Sequence, residues 1–272
     1  AFASNAAKTA SKGLESAMEK LSSGSRINYA KDDAAGQAIS TRLSAEIQGL
    51  EMASRNAADA QSLLDTAEGA LQETSSVLLR MRELAVQSAN GTLTDTDRGH
   101  IDAEFQQLIE EVDRIAANTT FAGQELLDGS YTSVNFQVGT GAGEVISVSI
   151  AGASSSDIGT TTGAAAVADL SSAVINTATD ADAAIASVDK ALEEISTARG
   201  SLGAVSNRLG STMSNLDQIA VNLTSSQGRI ADADFAQETG NLAKNQILQQ
   251  AATAMIAQAN ASKATILTLV RG

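Results

Sequence analysis

Residues 33–90 read DAAGQAISTRLSAEIQGLEMASRNAADAQSLLDTAEGALQETSSVLLRMRELAVQSAN. Within them Ile39, Leu43, Ile47, Leu50, Ala53, Ala57, Ala60, Leu64, Ala67, Leu71, Leu78, Met81 and Ala85 recur by threes and fours. That is the spacing of a helix that lays one apolar seam against other helices. The chain has no Pro in 272 residues, so the residue that most strongly breaks a helix is missing. At 1.5 Å per residue the stretch predicts a rod on the order of 85 Å long. No ordinary compact domain needs such an element.

Upstream, Ala3, Ala7, Ala10, Leu14, Ala17 and Leu21 form a second small-residue seam, which Ser22-Ser23-Gly24 interrupts. Downstream, Asn90-Gly91 is a stop signal, and Thr94 offers an N-cap with Asp95 and Asp97 in the first turn that follows. Ile101, Phe105, Leu108, Val112 and Ile115 then predict a helix to about residue 118 that folds back on the rod. From 121 to 162 the pattern changes. Val134, Phe136 and Val138 alternate, 139–143 is rich in Gly, and 145–150 is rich in β-branched residues, which together predict a β-hairpin. The stretch 151–179, made largely of Ala, Ser, Thr and Gly, is expected to be a loop with weak local structure. A third series, Ile185, Val188, Leu192, Ile195, Leu202, Val205, Leu209, Leu216, Ile219 and Leu223, predicts the return rod.

The expected fold is mainly α: long antiparallel helical rods in a coiled-coil-like bundle formed by both chain ends, with a small central β-hairpin region. Composition agrees with it. Apolar residues make up 43% of the chain but aromatics only 3%, and Trp is absent, which suits closely packed helices better than a thick core. The absence of Cys excludes disulfides and thiolate metal sites. No run of about 18 apolar residues occurs, so no membrane insertion is expected, and the first residues lack the pattern of a cleaved signal peptide. A net charge of −14 argues against nucleic acid as a partner.

Catalytic and cofactor chemistry find little support. His100 is the only histidine, which rules out a histidine metal cluster and leaves one general base without an evident nucleophile. Asp95-Thr96-Asp97 opens like a calcium loop, but His100 and Gln106 stand where the Gly and the closing Glu are required. Gly139-Thr140-Gly141-Ala142-Gly143 lies between strand-like segments and suits a turn rather than a dinucleotide fingerprint. The pairs Asp32-Asp33 and Asp232-Asp234 sit where helices begin and suit capping. Asn118, Asn222 and Asn260 each open an Asn-X-Ser/Thr triplet, the latter two within expected helices; exposed Ser and Thr of 130–179 are the better candidates for sugars, O-linked. No enzyme, metal or cofactor is expected.

The last segment, 242–270, is apolar on more than one face. A helix of that kind needs partners beyond its own chain. The assembly seam is assigned to Leu14, Met18, Leu21, Leu242, Ile247, Leu248, Met255, Ile256, Ile266 and Leu269. An intramolecular pair between the two ends is expected as well, with Ala-rich seams too small to cover every apolar side chain.

Two terminal segments, 21–37 (LSSGSRINYAKDDAAGQ) and 229–260 (RIADADFAQETGNLAKNQILQQAATAMIAQAN), resemble the terminal signatures of bacterial flagellins. So do Ala53-Ser54-Arg55-Asn56-Ala57, Glu68-Gly69-Ala70-Leu71 and Arg82-Glu83-Leu84-Ala85-Val86-Gln87-Ser88-Ala89-Asn90. The resemblance covers nearly everything outside about 130–179. It implies a filament subunit exported unfolded through the flagellar type III apparatus into the extracellular flagellum for motility. It also implies inner-tube coiled-coil segments at 1–32 and 229–272, an outer rod domain from 33–128 and 181–228, and a short variable region at 129–180. Implied partners are other copies of the chain, an export chaperone, and the cap and hook-junction proteins. The family pattern has about ten further residues upstream of Ala1, and a Pro where Ala261-Ser262-Lys263 stand here; the first departure implies a truncated or processed chain. Flagellins of one broad group are also recognised by a vertebrate Toll-like receptor. The matching positions here are Arg80, Leu84 and Glu104, with Gln87 in the same segment; for Arg80 and Glu104 the plainer reading is a solvated ion pair worth little in water. A hook-filament junction protein of the same architecture, or a surface module binding a glycan or host receptor, is the alternative.

Overall fold

A computed structural model describes residues 2–161 and 167–271, except for the side chains of Ala3 and of 263–271. Among the described residues it has five α-helices: α1 (Phe2–Ser23), α2 (Ala34–Ser88), α3 (Asp95–Asn118), α4 (Ala178–Ala231) and α5 (Phe235–Arg271). Between α3 and α4 lie two short antiparallel hairpins, β1 (Thr120–Phe121) with β2 (Gln124–Glu125) and β3 (Val134–Gln137) with β4 (Val145–Val148). The chain packs as two units, one of residues 49–218 and one of 1–48 with 219–272. The unit boundaries fall inside α2 and α4, whereas the sequence reading divides the chain at the connectors near 32 and 228.

In the unit 49–218, α2 and α4 run antiparallel. Their cross-helix bonds show it, as numbers on one helix rise while those on the other fall: Ser54 with Asp217 at 3.3 Å, Gln61 with Ser206 at 2.7 Å, Arg199 with Glu68 at 2.8 Å and Arg82 with Asp189 at 2.6 Å. The seam buries Ala57, Ala60, Leu64, Ala67, Leu71, Leu78 and Met81 of α2 with Val188, Ala191, Ile195, Leu202 and Leu209 of α4. Small Ala side chains let the helices approach, while each buried Leu contributes about 1.5–3 kcal/mol. From α3, Phe105, Ile109 and Val112 join the same core. Its start is a capping box: Asp97 N donates to Thr94 Oγ1 at 3.3 Å, and Thr94 N donates to Asp97 Oδ2 at 3.2 Å. The predicted hairpin forms with Val134 opposite Val148 and Phe136 opposite Ile146. Ile146 and Val148 point inward and are buried, whereas Val145 is exposed, the alternation a half-buried strand requires.

The stretch 151–179 departs from expectation. Its described residues, 151–161 and 167–179, have little regular structure before α4 begins, yet they are packed rather than weak: Ala153, Ile158, Leu170, Ala173 and Ile175 are all buried. Its backbone polar groups are met by side chains of the helices, as burial demands. Asp113 accepts from Ser155 N at 2.7 Å and Ser155 Oγ at 2.9 Å; Glu194 accepts from Gly159 N at 2.9 Å; and Asp102 accepts from Ile175 N at 2.9 Å. Ser88 Oγ donates to Ile175 O at 2.6 Å and Ser187 Oγ to Gly159 O at 2.7 Å. Composition suggested looseness because these partners lie far away in the chain.

In the unit of 1–48 and 219–272, α1 and α5 pair antiparallel. Ser11 meets Gln249 at 3.1 Å and Lys20 meets Glu238 at 3.5 Å. Between them, a Cβ on Gly13 would lie 2.7 Å from the end of the Asn245 side chain, so a larger residue there would require Asn245 to move aside. The connectors 24–33 and 232–234 zip together: Arg26 N donates to Ala231 O at 2.6 Å and Ala233 N to Gly24 O at 3.0 Å. Gly24 has φ +70 and ends α1 in the left-handed conformation favoured by a helix stop. Asp33 accepts from Gly36 N at 2.8 Å and Asp234 from Ala236 N at 2.9 Å, so these aspartates start α2 and α5 as caps.

Candidate assembly surface

The terminal pair is built from two helices whose apolar stripes are wider than their mutual contact. Ala10, Ala17 and Ala252 are buried, and Leu14, Leu21, Leu242 and Ile256 are half-buried. Outside the contact, Met18 remains 56% exposed, Ile247 65%, Leu248 47% and Met255 56%. Phe2 and Phe235 are exposed too. Phe235 was absent from the predicted seam although its signal was present: an aromatic directly behind the Asp234 cap, in a chain with few aromatics. The side chains of Ile266 and Leu269 lie outside the described residues. A groove of about 460 Å³ opens beside the pair, lined in part by Phe2, Ala6, Ala10 and Leu248. Such a concentration of unpaired apolar side chains marks an interaction surface.

Arg26 anchors the base of this pair. Its Nη2 donates to Ile230 O at 2.6 Å and its Nε to the same oxygen at 3.2 Å. Ser25 Oγ is placed 3.0 Å from both Ile27 O and Ala231 O. The two signature segments, distant in sequence, therefore meet as one hydrogen-bonded connector within this unit.

On the other unit, Arg80 bridges two carboxylates, Glu104 at 2.8 Å and Glu83 at 2.9 Å. Hydrogen bonds from its guanidinium to Glu104 first and Glu83 second push its pKa up, so it stays a cation at any ordinary pH. Gln87 is exposed on the same helix. Leu84 corrects the expectation for this site: it is 2% exposed and belongs to the core. It follows Arg80 by four residues, but it falls on the buried seam of α2 and offers a partner almost no surface. His100 is exposed near the start of α3. No group of three or more His, Cys, Asp or Glu suited to a metal occurs among the described residues, and no helix there is long and apolar enough to cross a membrane.

Long helices with matched chain ends and unsatisfied apolar stripes define a self-assembling structural protein. Residues 2–132 match the bacterial flagellin N-terminal helical region, and residues 185–270 match the C-terminal helical region. The chain is 46% identical over 257 residues to a flagellin of Halalkalibacterium halodurans, covering 94% of this chain and 92% of that one. It is 43% identical over 278 residues to a flagellin of Bacillus subtilis, covering 93% and 91%. A structure described as a flagellar hook-associated protein of Vibrio parahaemolyticus superposes with a TM-score of 0.61 at 18% identity, covering 74% of this chain and 100% of that one, a likeness of fold alone. The chain belongs to the bacterial flagellin family. It is a structural subunit of the extracellular flagellar filament and not an enzyme.

Proposed function

We propose that the terminal pair α1–α5 is the seam through which neighbouring copies hold together in the filament, with 1–32 and 229–272 as the inner-tube segments. The observation that carries this reading is the exposure of Met18, Ile247, Leu248 and Met255 on helices that already have a partner. Burying about 1,000 Å² of apolar surface contributes on the order of 25 kcal/mol before the costs of association and ordering. A second copy of the same pair is the surface that offers matching stripes. Substituting Leu248 with Asp tests it: the charge points to solvent in the monomer, so helicity by circular dichroism is unchanged, while elongation from filament seeds is lost. Normal elongation by that variant removes Leu248 from the seam.

The same exposed stripes are what an export chaperone would cover before assembly, and what cap and hook-junction proteins would engage at the filament ends. Recognition by a vertebrate Toll-like receptor is a property of the other unit, through Arg80, Gln87 and Glu104 without Leu84. Alanine at each of the three polar positions, assayed for binding to the receptor ectodomain, tests it. Unchanged binding in all three removes this surface from the account.

A further inference from the structure

Asn90-Gly91, the only Asn-Gly pair in the sequence, lies exposed in the turn between α2 and α3. Asparagine followed by glycine is the pair in which the next backbone nitrogen most readily reaches the side-chain carboxamide, because no Cβ obstructs the approach. A turn alone accounts for the pair but not for the donors gathered on it. Thr92 N donates to Asn90 Oδ1 at 3.2 Å, a bond that spans Gly91 and folds the carboxamide over the Gly91 peptide. The Asn90 carbonyl oxygen accepts from Arg98 Nη2 at 3.0 Å and from Leu93 N at 3.3 Å. Arg98 is 4% exposed, also donates to Leu93 O at 3.3 Å, and leaves its Nη1 without a partner. Gly91 N–H donates to no acceptor among the described residues, and the space beside Gly91 Cα is open.

We propose that Asn90-Gly91 is a self-modifying site, at which the turn promotes loss of the Asn90 amide as ammonia. A base from solvent removes the Gly91 amide proton. The nitrogen attacks Asn90 Cγ, forming the N–Cγ bond while the carbonyl electron pair moves onto Oδ1. The intermediate collapses, the Cγ–Nδ2 bond breaks, and Nδ2 leaves as ammonia with a proton from water. A second water opens the cyclic imide at either carbonyl, leaving aspartate or isoaspartate at position 90. The fold assists both halves. The deprotonated Gly91 nitrogen shares its charge with the Asn90 carbonyl oxygen, which the buried Arg98 cation and Leu93 N–H hold. Thr92 N–H is aimed at Oδ1, where charge develops in the intermediate. The product carries a new negative charge on the residue that Arg98 already holds, and isoaspartate lengthens the main chain there. A filament outside the cell would therefore accumulate a mark of its age at this turn.

The test incubates the full chain in neutral and mildly alkaline buffer, folded and in denaturant, and follows residue 90 by peptide mass spectrometry and isoaspartate methylation. Conversion in the folded chain is expected to run about tenfold faster than in the unfolded chain, a barrier difference of about 1.4 kcal/mol, and to quicken as pH rises. Gly91→Ala, which the open space accommodates, is expected to slow it by at least that factor. Conversion in the folded chain no faster than in the unfolded one, or undiminished by Gly91→Ala, overturns the proposal.

Discussion

Leu84 lies 2% exposed in the core, while Arg80, one turn earlier on α2, keeps 49% of its side chain in water. Similar positions in one matched segment therefore carry different work. Leu84→Ala is expected to cost about 2–5 kcal/mol of stability in urea unfolding, as buried leucines do; Arg80→Ala is expected to leave the urea midpoint nearly unchanged. The resemblance placed both residues in one receptor-facing group because a motif records position along the chain and not the side of a helix; only the heptad phase of Leu78, Met81 and Ala85 separates them. Capping residues give a prediction in pH. Asp97 is held below the usual carboxylate range by hydrogen bonds from the Thr94 side chain and then its backbone, and Asp128 likewise by Ser130. Because both folded values are depressed, their stabilisation is complete above the ordinary aspartate range and is lost as pH falls through the lowered values. Melting temperature should therefore drop in acid, and Asp97→Asn should flatten part of that slope.

At the scale of elements, the helices were legible almost to their ends. Seams of Ala and Leu, the Ser22-Ser23-Gly24 break, the Asn90-Gly91 stop and the Thr94 cap are local signals, and the structure uses each of them. Two elements were not legible. The β1–β2 hairpin has strands of two residues, too short for any periodicity, and turns at Ala122-Gly123 with φ 50 and 83 rather than at the Asn-Gly pair that would have announced it. Within 151–175, Ser155, Gly159 and Ile175 are held by Asp113, Glu194 and Asp102, none of which neighbours them in sequence. Asp113→Ala should strand the buried Ser155 N–H, costing about 1–3 kcal/mol. Hydrogen exchange should show the Ser155 amide losing protection first, with α2 and α4 still protected; exchange unchanged at Ser155 would mean that the clamp bears no strain.

For the whole molecule, the heptads and terminal signatures announced a filament subunit, and family membership agrees. What no pattern could apportion was how much of the terminal stripe the chain covers by itself, since that depends on the depth of the α1–α5 contact. Small residues at that contact, with Gly13 against Asn245, bring the two helices close and leave the larger side chains outside. The account rests on those side chains being an assembly surface. Its most direct test is elongation of short filament seeds, followed by electron microscopy, with the wild-type chain and with an Ile247→Asp, Leu248→Asp double variant at equal helicity. The account predicts filaments from the wild type and none from the variant; seeds that elongate equally with both would contradict it.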